Sequence, residues 1–222
     1  MNDLNTEAAE RYRVVVIDDS TIVRFGMPLM HPELEVVATY PDIEELLVDE
    51  PAVDLVILDL RLSGGPSPGV RQGPTAIRAL RAAGYRICLF TDERRRLVLA
   101  QCMRAGAQGV VHKSDSVETA AAAFNTVAAG GIVVTQSLIG LAEVLERRSG
   151  LPELTARQRQ VLAGRARGET WNEIAARLFI TEGVAREHMA AVNAKFAAYL
   201  QRASPGDIER HLGVAPGDLL DE

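Results

Sequence analysis

Residues 53–58 read V-D-L-V-I-L, a largely apolar run of strand length that Asp59 follows at once. A strand in a parallel sheet is buried on both faces and therefore reads as a near-continuous apolar run. The Gly- and Pro-rich stretch from Leu62 to Gly73 predicts a long loop before the next helix. Because the chemistry of open α/β sheets gathers where the strands end, Asp59 is a candidate functional residue.

Four further runs of this kind flank the first one, with helical patterns between them. The predicted strands cover residues 14–17, 34–39, 53–58, 86–90 and 109–112. This alternation predicts a five-stranded parallel sheet with helices on both faces, an α/β fold. Beyond it the pattern is helical only, and a small all-α domain is expected. We divide the chain into a disordered tail (1–11), an α/β domain (12–130), a linker with one helix (131–152) and a helical domain with an extended C-terminus (153–222).

Single residues predict several helix ends. Ser20 is expected to cap the helix after strand one, and the helix after strand four is predicted to begin at Glu93. In the second domain, Thr181 is expected to cap a third helix that reaches at least Phe196. A fourth helix is predicted over residues 207–212.

Polar side chains follow four of the five strands. They are Asp18 and Asp19 after strand one, Asp59 after strand three, Thr91 after strand four and Lys113 after strand five. Taken singly, each has a plainer interpretation as a helix cap, a β-forming residue or a solvated lysine. A parallel sheet brings these strand ends to one edge, and that favours a shared site.

The chemistry of this set is coherent. Three carboxylates at one edge raise each other's pKa unless a cation lies between them, and Mg²⁺ prefers such oxygen ligands. Asp59 can then attack a phosphoryl group as a carboxylate nucleophile. The ammonium of Lys113 would neutralise charge on the phosphoryl oxygens, and the Thr91 hydroxyl could bond to one of them.

The segments I-D-D-S, L-D-L-R, L-F-T and V-V-H-K-S carry these residues, and with them residues 12–129 resemble the receiver domain of bacterial two-component response regulators. The resemblance implies a flavodoxin-like sheet of strand order 2-1-3-4-5. It also implies that a sensor histidine kinase phosphorylates Asp59, and that Thr91 and Lys113 read out the phosphate. Mg²⁺ would be held by Asp18, Asp19, Asp59 and the backbone carbonyl of Arg61.

Three features depart from the receiver pattern. Val110 occupies the position three residues before the lysine where the family usually has an aromatic switch residue. Asp92 stands where a small residue usually follows the threonine. The loop after Asp59 is longer than the usual form. These differences concern how a phosphorylated receiver domain would signal to the output domain. They bear less on whether Asp59 accepts a phosphoryl group.

Residues 154–196 resemble the helix-turn-helix output domain of the NarL/FixJ/LuxR family, through L-T-A-R-Q-R-Q-V-L, G-E-T-W-N-E-I-A-A-R-L-F-I-T and R-E-H-M-A-A-V-N-A-K-F. The resemblance implies that the third helix enters the major groove of DNA. The candidate DNA-binding residues are Thr181, Glu182, Gly183, Val184, Arg186, Glu187 and Lys195. From residue 153 to 204 the domain has eight Lys or Arg against five acids. This excess of positive charge is modest for a DNA-binding surface. A plain three-helix bundle is the alternative.

The family often dimerises through its last helix, so Leu200, Ile208 and Leu212 are candidate residues of a homodimer interface. Local core packing is the other interpretation of these three side chains. The net charge of −6 excludes a basic surface over the whole protein. The polar, acidic start is unlike a secretory signal peptide, no membrane span is predicted, and a cytoplasmic location is expected.

The leading hypothesis is a DNA-binding response regulator, a transcription factor controlled by phosphorylation of Asp59. It is not a turnover enzyme, although it could remove its own phosphoryl group. One alternative keeps the fold but binds DNA without phosphorylation. A more distant alternative is a phosphohydrolase with an aspartyl nucleophile, although such enzymes usually have Asp-x-Asp after strand one, whereas Asp18 and Asp19 are adjacent.

Overall fold

The computed structural model describes residues 11–62, 71–148, 151 and 154–212. Residues 1–10 of the predicted tail, most of the loop after Asp59 and the last ten residues lie outside these ranges. The elements in chain order are β1 (Arg13–Ile17), α1 (Thr21–Met30), β2 (Glu35–Tyr40), α2 (Ile43–Asp49), β3 (Leu55–Leu58), α3 (Gly73–Ala82), β4 (Ile87–Thr91), α4 (Arg96–Ala105), β5 (Gly109–His112), α5 (Val117–Ala128), α6 (Gln136–Arg147), α7 (Ala156–Ala166), α8 (Trp171–Leu178), α9 (Glu182–Arg202) and α10 (Pro205–Leu212).

The first ten elements form the predicted α/β fold. All strands are parallel and lie in the order β2-β1-β3-β4-β5, as the receiver resemblance implied. The register pairs Ile17 with Leu58, and Thr91 with His112. Strands β1, β3, β4 and β5 therefore end at the same edge of the sheet. Asp18, Asp59 and Lys113 directly follow three of these strand ends, which is where the candidate site was expected.

Apolar side chains fill both faces of the sheet. On one face, Phe124 of α5 is fully buried and packs edge-on against Phe90. On the other face, the core around Leu89 and Leu99 continues without a break through Leu138 of α6 to Phe196 of α9. The helical half of the chain is therefore packed onto the α/β half through a shared apolar core.

Threonines precede three helices of the second half and cap them. Thr155 and Gln158 form a reciprocal capping box at the start of α7, and Thr170 and Glu173 form another at α8. Thr181 accepts a hydrogen bond from the Val184 amide and begins α9, which runs on to Arg202. None of the helices in the described part of the chain combines the length and apolar character that a membrane span needs.

Two helix starts differ from the prediction. Ser20 precedes α1 but makes no side-chain cap on it, and its amide donates to Asp18 Oδ1 over 2.8 Å. Helix α4 begins at Arg96 and not at Glu93. The Glu93 carboxylate accepts hydrogen bonds from the amides of Arg94 and Arg95, and this turn holds residues 93–95 outside the helix.

Candidate functional site

Three aspartates meet at the predicted edge of the sheet. The carboxylate oxygens of Asp18, Asp19 and Asp59 lie within 4.8 Å of one another. Asp18 and Asp59 are buried, with 1% and 7% of their surface exposed. Lys113 joins them, because its Nζ lies 2.7 Å from Asp18 Oδ2 and 2.8 Å from Asp59 Oδ2. The structure thus brings together four of the five site residues expected from the strand ends.

Backbone contacts fix this cluster. The Asp59 amide continues the β1–β3 ladder by donating to the Ile17 carbonyl over 2.8 Å. The Arg61 amide donates to Asp59 Oδ1 over 3.3 Å. The guanidinium of Arg24, on α1, donates to the backbone carbonyls of Asp18 and Asp19 and so holds the acidic pair from the helix side.

The charges of the cluster influence one another. Burial raises the pKa of Asp59, the nearby charge of Asp18 raises it further, and the hydrogen bond and charge of Lys113 only partly oppose this. Burial also disfavours the charged form of Lys113, but its bonds to Asp18 and Asp59 outweigh that effect and raise its pKa. Asp59 is thus a desolvated carboxylate beside a firmly protonated lysine.

The raised pKa of Asp59 predicts a pH-dependent stability. Below the ordinary carboxyl range the contribution of Asp59 to the free energy of unfolding is fully present, and it is lost as the pH rises through the raised pKa. Near neutral pH we therefore expect Asp59→Asn to have a higher free energy of unfolding than wild type, because the amide carries no buried charge. Urea unfolding at several pH values should show this difference shrinking as the solution is acidified.

The exposed Asp92 offers a matched control, because Asp92→Asn removes a neighbouring carboxylate that is not buried. Its effect on unfolding should be small and nearly independent of pH. A destabilised Asp59→Asn variant at neutral pH would contradict the account, because the bond to Lys113 would then outweigh the burial of the charge.

The oxygen atoms at this edge suit a hard divalent cation. Mg²⁺ takes few carboxylates together with carbonyl oxygens and waters, and the three aspartates offer ligand atoms close enough to share one ion. Asp18 and Asp59 each keep one oxygen away from Lys113, since the ammonium contacts only Oδ2 of each. The donor set therefore fits the cation that the sequence predicted.

Thr91 ends β4, and Val110 lies in the neighbouring strand β5. Thr91 is fully buried, and its Oγ1 accepts a hydrogen bond from the Glu93 amide over 3.2 Å. Val110 is 2% exposed and packs in the core that reaches α6. Asp92 points to solvent, so its carboxylate does not join the buried cluster.

Glu93 is a site residue that the sequence analysis missed. Its side chain is only 3% exposed and contacts Arg61 Nη2 at 3.1 Å and Arg95 Nη2 at 2.7 Å. Hydrogen bonding to Arg95 lowers the pKa of Glu93 to about 2, although burial opposes the shift. One carboxylate thus ties the segment after β3 to the turn before α4. The run D-E-R-R-R, an acid pair followed by three arginines, is the sequence feature from which an ion pair of Glu93 could have been predicted.

The candidate DNA-binding residues lie at the start of α9. Thr181, Gly183, Arg186 and Glu187 are exposed, and Glu182 and Val184 are half-buried. Lys195 differs, because its Nζ donates to Gln158 Oε1 over 3.1 Å. The geometry therefore favours the first turns of α9 over Lys195 as the contact surface.

Arg186 is the most prominent group on this surface. Its guanidinium lies 4.8 Å from the centre of the Trp171 ring, and its Nη2 lies 3.3 Å from Glu182 Oε2. Arg165 lies over the same ring at 4.5 Å. The indole thus holds two arginines beside the start of α9.

The sequence left two interpretations open for the dimer candidates, an interface and local core packing. Leu200 is fully buried and Ile208 is 1% exposed, and both belong to the continuous apolar core of the chain. In this structure they pack locally, as the second interpretation had it, because α10 folds back against α6. Leu212 ends α10, and its side chain lies outside what the structure describes.

Comparisons with known proteins decide the family. Residues 152–199 match the family of bacterial regulatory proteins, luxR family. The transcriptional regulatory protein UhpA of Escherichia coli (strain K12) is 32% identical over 183 residues, which cover 80% of this chain and 87% of UhpA. The chain belongs to the LuxR-type response regulators. The transcriptional regulatory protein LnrK of Bacillus subtilis (strain 168) is 28% identical over 204 residues, 83% of this response regulator and 90% of LnrK.

Solved structures show the same fold for the whole response regulator. The structure of the RcsB–DNA complex superposes with a TM-score of 0.52 at 19% identity, over 92% of this chain and 98% of RcsB. RcsB of Salmonella typhimurium gives a TM-score of 0.53 at 19% identity, over 92% of this chain and 99% of that chain. LnrK and UhpA are both transcriptional regulatory proteins, which agrees with the leading hypothesis and not with the phosphohydrolase alternative.

Proposed function

We propose that Asp59 accepts a phosphoryl group from a sensor histidine kinase and that this modification controls promoter binding by α9. The observation that carries the proposal is the position of Lys113, whose ammonium bridges Asp18 and Asp59 at the edge where three carboxylates meet. As a transcription factor, the chain would act in the cytoplasm, where promoter DNA lies.

The acceptor chemistry follows from these contacts. A carboxylate oxygen of Asp59 forms a bond to phosphorus while the bond from phosphorus to the histidine nitrogen of the kinase breaks, so the imidazole leaves with its electron pair. Mg²⁺ held by Asp18, Asp19, Asp59 and the Arg61 carbonyl would offset negative charge on the phosphoryl oxygens. Lys113 would exchange its bond to Asp59 for one to the phosphoryl group. Slow hydrolysis of the resulting acyl phosphate would reset the protein.

The turn between β4 and α4 offers a route from Asp59 to the DNA-binding half. If the Thr91 hydroxyl moves toward a phosphoryl oxygen, its bond to the Glu93 amide must change. Glu93 is tied to Arg61 and Arg95, directly before α4 begins. Helix α4 packs against α9. This route needs no aromatic switch residue, which is consistent with Val110 at that position.

The packing of the two halves also restricts α9. Arg186 and Asn193 line a cleft whose other wall is α5, including Thr119, and Asn193 donates to the Ile132 carbonyl over 3.3 Å. A helix in the major groove needs this face free over several turns. We therefore propose that the two halves separate before α9 binds DNA, and that phosphorylation favours separation.

The second candidate function is a regulator of the same fold that binds DNA without phosphorylation. Val110, buried where a ring would have to rotate, is the observation that favours it. Both candidate functions use the first turns of α9 to bind DNA. They differ only in whether phosphorylation is needed to free this surface.

Footprinting of the phosphorylated full chain tests the DNA-binding proposal. If phosphorylation produces a homodimer, the protected half-sites should lie about one helical turn apart, or a multiple of that. Leu200 and Ile208 are already buried, so Leu200→Ala is expected to lower stability and not half-site spacing. Protection of a single half-site by the phosphorylated protein would contradict the dimer.

A further inference from the structure

A second cavity lies between the two halves, and neither Asp59 nor Lys113 lines it. It has a volume of about 450 Å³, within the range of small-molecule sites. Its wall includes the polar residues Arg94, His112, Asp115, Thr135, Gln136 and Arg165. The first five come from the α/β half and the start of α6, and Arg165 comes from α7. The cavity is therefore complete only when the halves are packed together.

This cavity collects buried polar atoms that lack partners. Among the described residues, five buried side-chain atoms have no hydrogen-bond partner, and three of them are His112 Nδ1, Thr135 Oγ1 and Arg165 Nε. All three residues line this one cavity. Buried polar groups in folded proteins nearly always find a partner. The concentration of exceptions at one place indicates that a ligand supplies the missing bonds.

Thr135 is the most informative of the three, because it is 8% exposed and precedes a helix. Thr155, Thr170 and Thr181 occupy the same position on their helices, and each accepts a bond from the amide three residues on. Thr135 makes no such bond at α6. The Leu138 amide donates to the Thr135 carbonyl over 3.0 Å instead, so the Thr135 hydroxyl is left for another acceptor.

The groups around the cavity select the chemistry of that acceptor. Arg165 Nε can only donate, and a hydroxyl or an imidazole nitrogen can donate as well. Arg94 and Arg165 supply two positive charges, while Asp115 supplies one negative charge and already accepts a bond from the His112 amide over 2.9 Å. The start of α6 adds the positive end of a helix dipole. An acceptor-rich negative ligand fits these groups.

We propose that this cavity binds a small oxyanion, a phosphate or carboxylate compound, whose presence holds the DNA-binding half against the α/β half. A ligand that contacts both halves stabilises only the arrangement in which they are packed, and it shifts the population toward that arrangement. Since α9 faces α5 in the packed arrangement, the oxyanion would oppose DNA binding whatever the state of Asp59.

Calorimetric titration of the full chain tests the proposal. Inorganic phosphate and succinate serve as separate probes, in EDTA, with chloride keeping the ionic strength constant. We expect saturable binding of at least one probe at one site per chain. Thr135→Val, which keeps the volume of the side chain, and Arg165→Gln should each weaken it roughly tenfold, the loss expected for a charge-assisted bond. Which probe binds more tightly identifies phosphate or carboxylate as the preferred class.

Arg157→Gln is the matched control, because it removes an exposed arginine from the same helix at a position outside the cavity. Its affinity for the probe should equal that of wild type. Absence of saturable binding for both probes would identify the cavity as a solvent-filled cleft and overturn the proposal. Binding lost in Lys113→Gln but unchanged in Thr135→Val would place the anion at Asp59 and would also overturn it. Neither outcome would affect the proposed role of Asp59.

Discussion

Asp59→Asn is expected to abolish phosphoryl transfer from acetyl phosphate in the presence of Mg²⁺. An amide lacks the negative charge that makes the carboxylate a nucleophile, while it keeps nearly the same shape between Lys113 and the Arg61 amide. Wild-type protein should gain one phosphoryl group by intact-protein mass spectrometry, and the variant should gain none. Beryllofluoride with Mg²⁺, which mimics a bound phosphoryl group, should likewise bind to wild type only.

Asp92→Asn is the control for this experiment, since it alters an exposed carboxylate one residue beyond Thr91. It should be phosphorylated like wild type. Uptake of a phosphoryl group by Asp59→Asn, or tight binding of beryllofluoride to it, would place the acceptor elsewhere and remove the basis of the proposed chemistry.

Arg186→Ala is expected to weaken the binding of promoter DNA by about 1–3 kcal/mol, or roughly 5- to 150-fold, if its guanidinium forms a bidentate contact to a base. Arg186 is exposed on the first turns of α9 and is already held beside the Trp171 ring. Fluorescence anisotropy with a labelled promoter fragment measures the change. Arg186→Lys keeps the charge without the planar fork, so it should fall between alanine and wild type.

Arg202→Ala serves as the control on the same helix, because Arg202 is exposed at the far end of α9. Its loss should change affinity little and equally for all DNA sequences. If Arg186→Ala binds promoter DNA with unchanged affinity, Arg186 is not part of the interface. Thr181 and its neighbours would then be the remaining candidate contacts.

The fold was predictable because its signals are local. The apolar runs of β1 and β3, each followed by aspartate, indicate buried parallel strands without any knowledge of the rest of the chain. Parallel pairing then brings Asp18, Asp59 and Lys113 together by geometry alone. The starts of α7 and α8 are also predictable from local signals, because each capping box is made by a threonine and a residue three positions later.

The remaining features depend on contacts between residues far apart in the sequence. Glu93 reads as a helical residue until Arg61, from another loop, is known to contact it. Leu200 is a possible interface residue from the sequence alone, but the fold buries it in the apolar core. The cavity at Thr135 needs Arg165 from the other half of the chain. The run D-E-R-R-R is a local signal for Glu93 alone, and no local pattern predicts the burial of Leu200 or the cavity.

The affinity for one promoter fragment, measured by gel shift before and after treatment with acetyl phosphate and Mg²⁺, tests the central claim most directly. Phosphorylation should tighten binding by wild type roughly 5- to 150-fold, the usual range of coupling between two sites. Asp59→Asn, treated in the same way, should bind like untreated wild type. Equal binding by untreated wild type, treated wild type and Asp59→Asn would contradict control by phosphorylation and would favour the regulator that binds DNA without it.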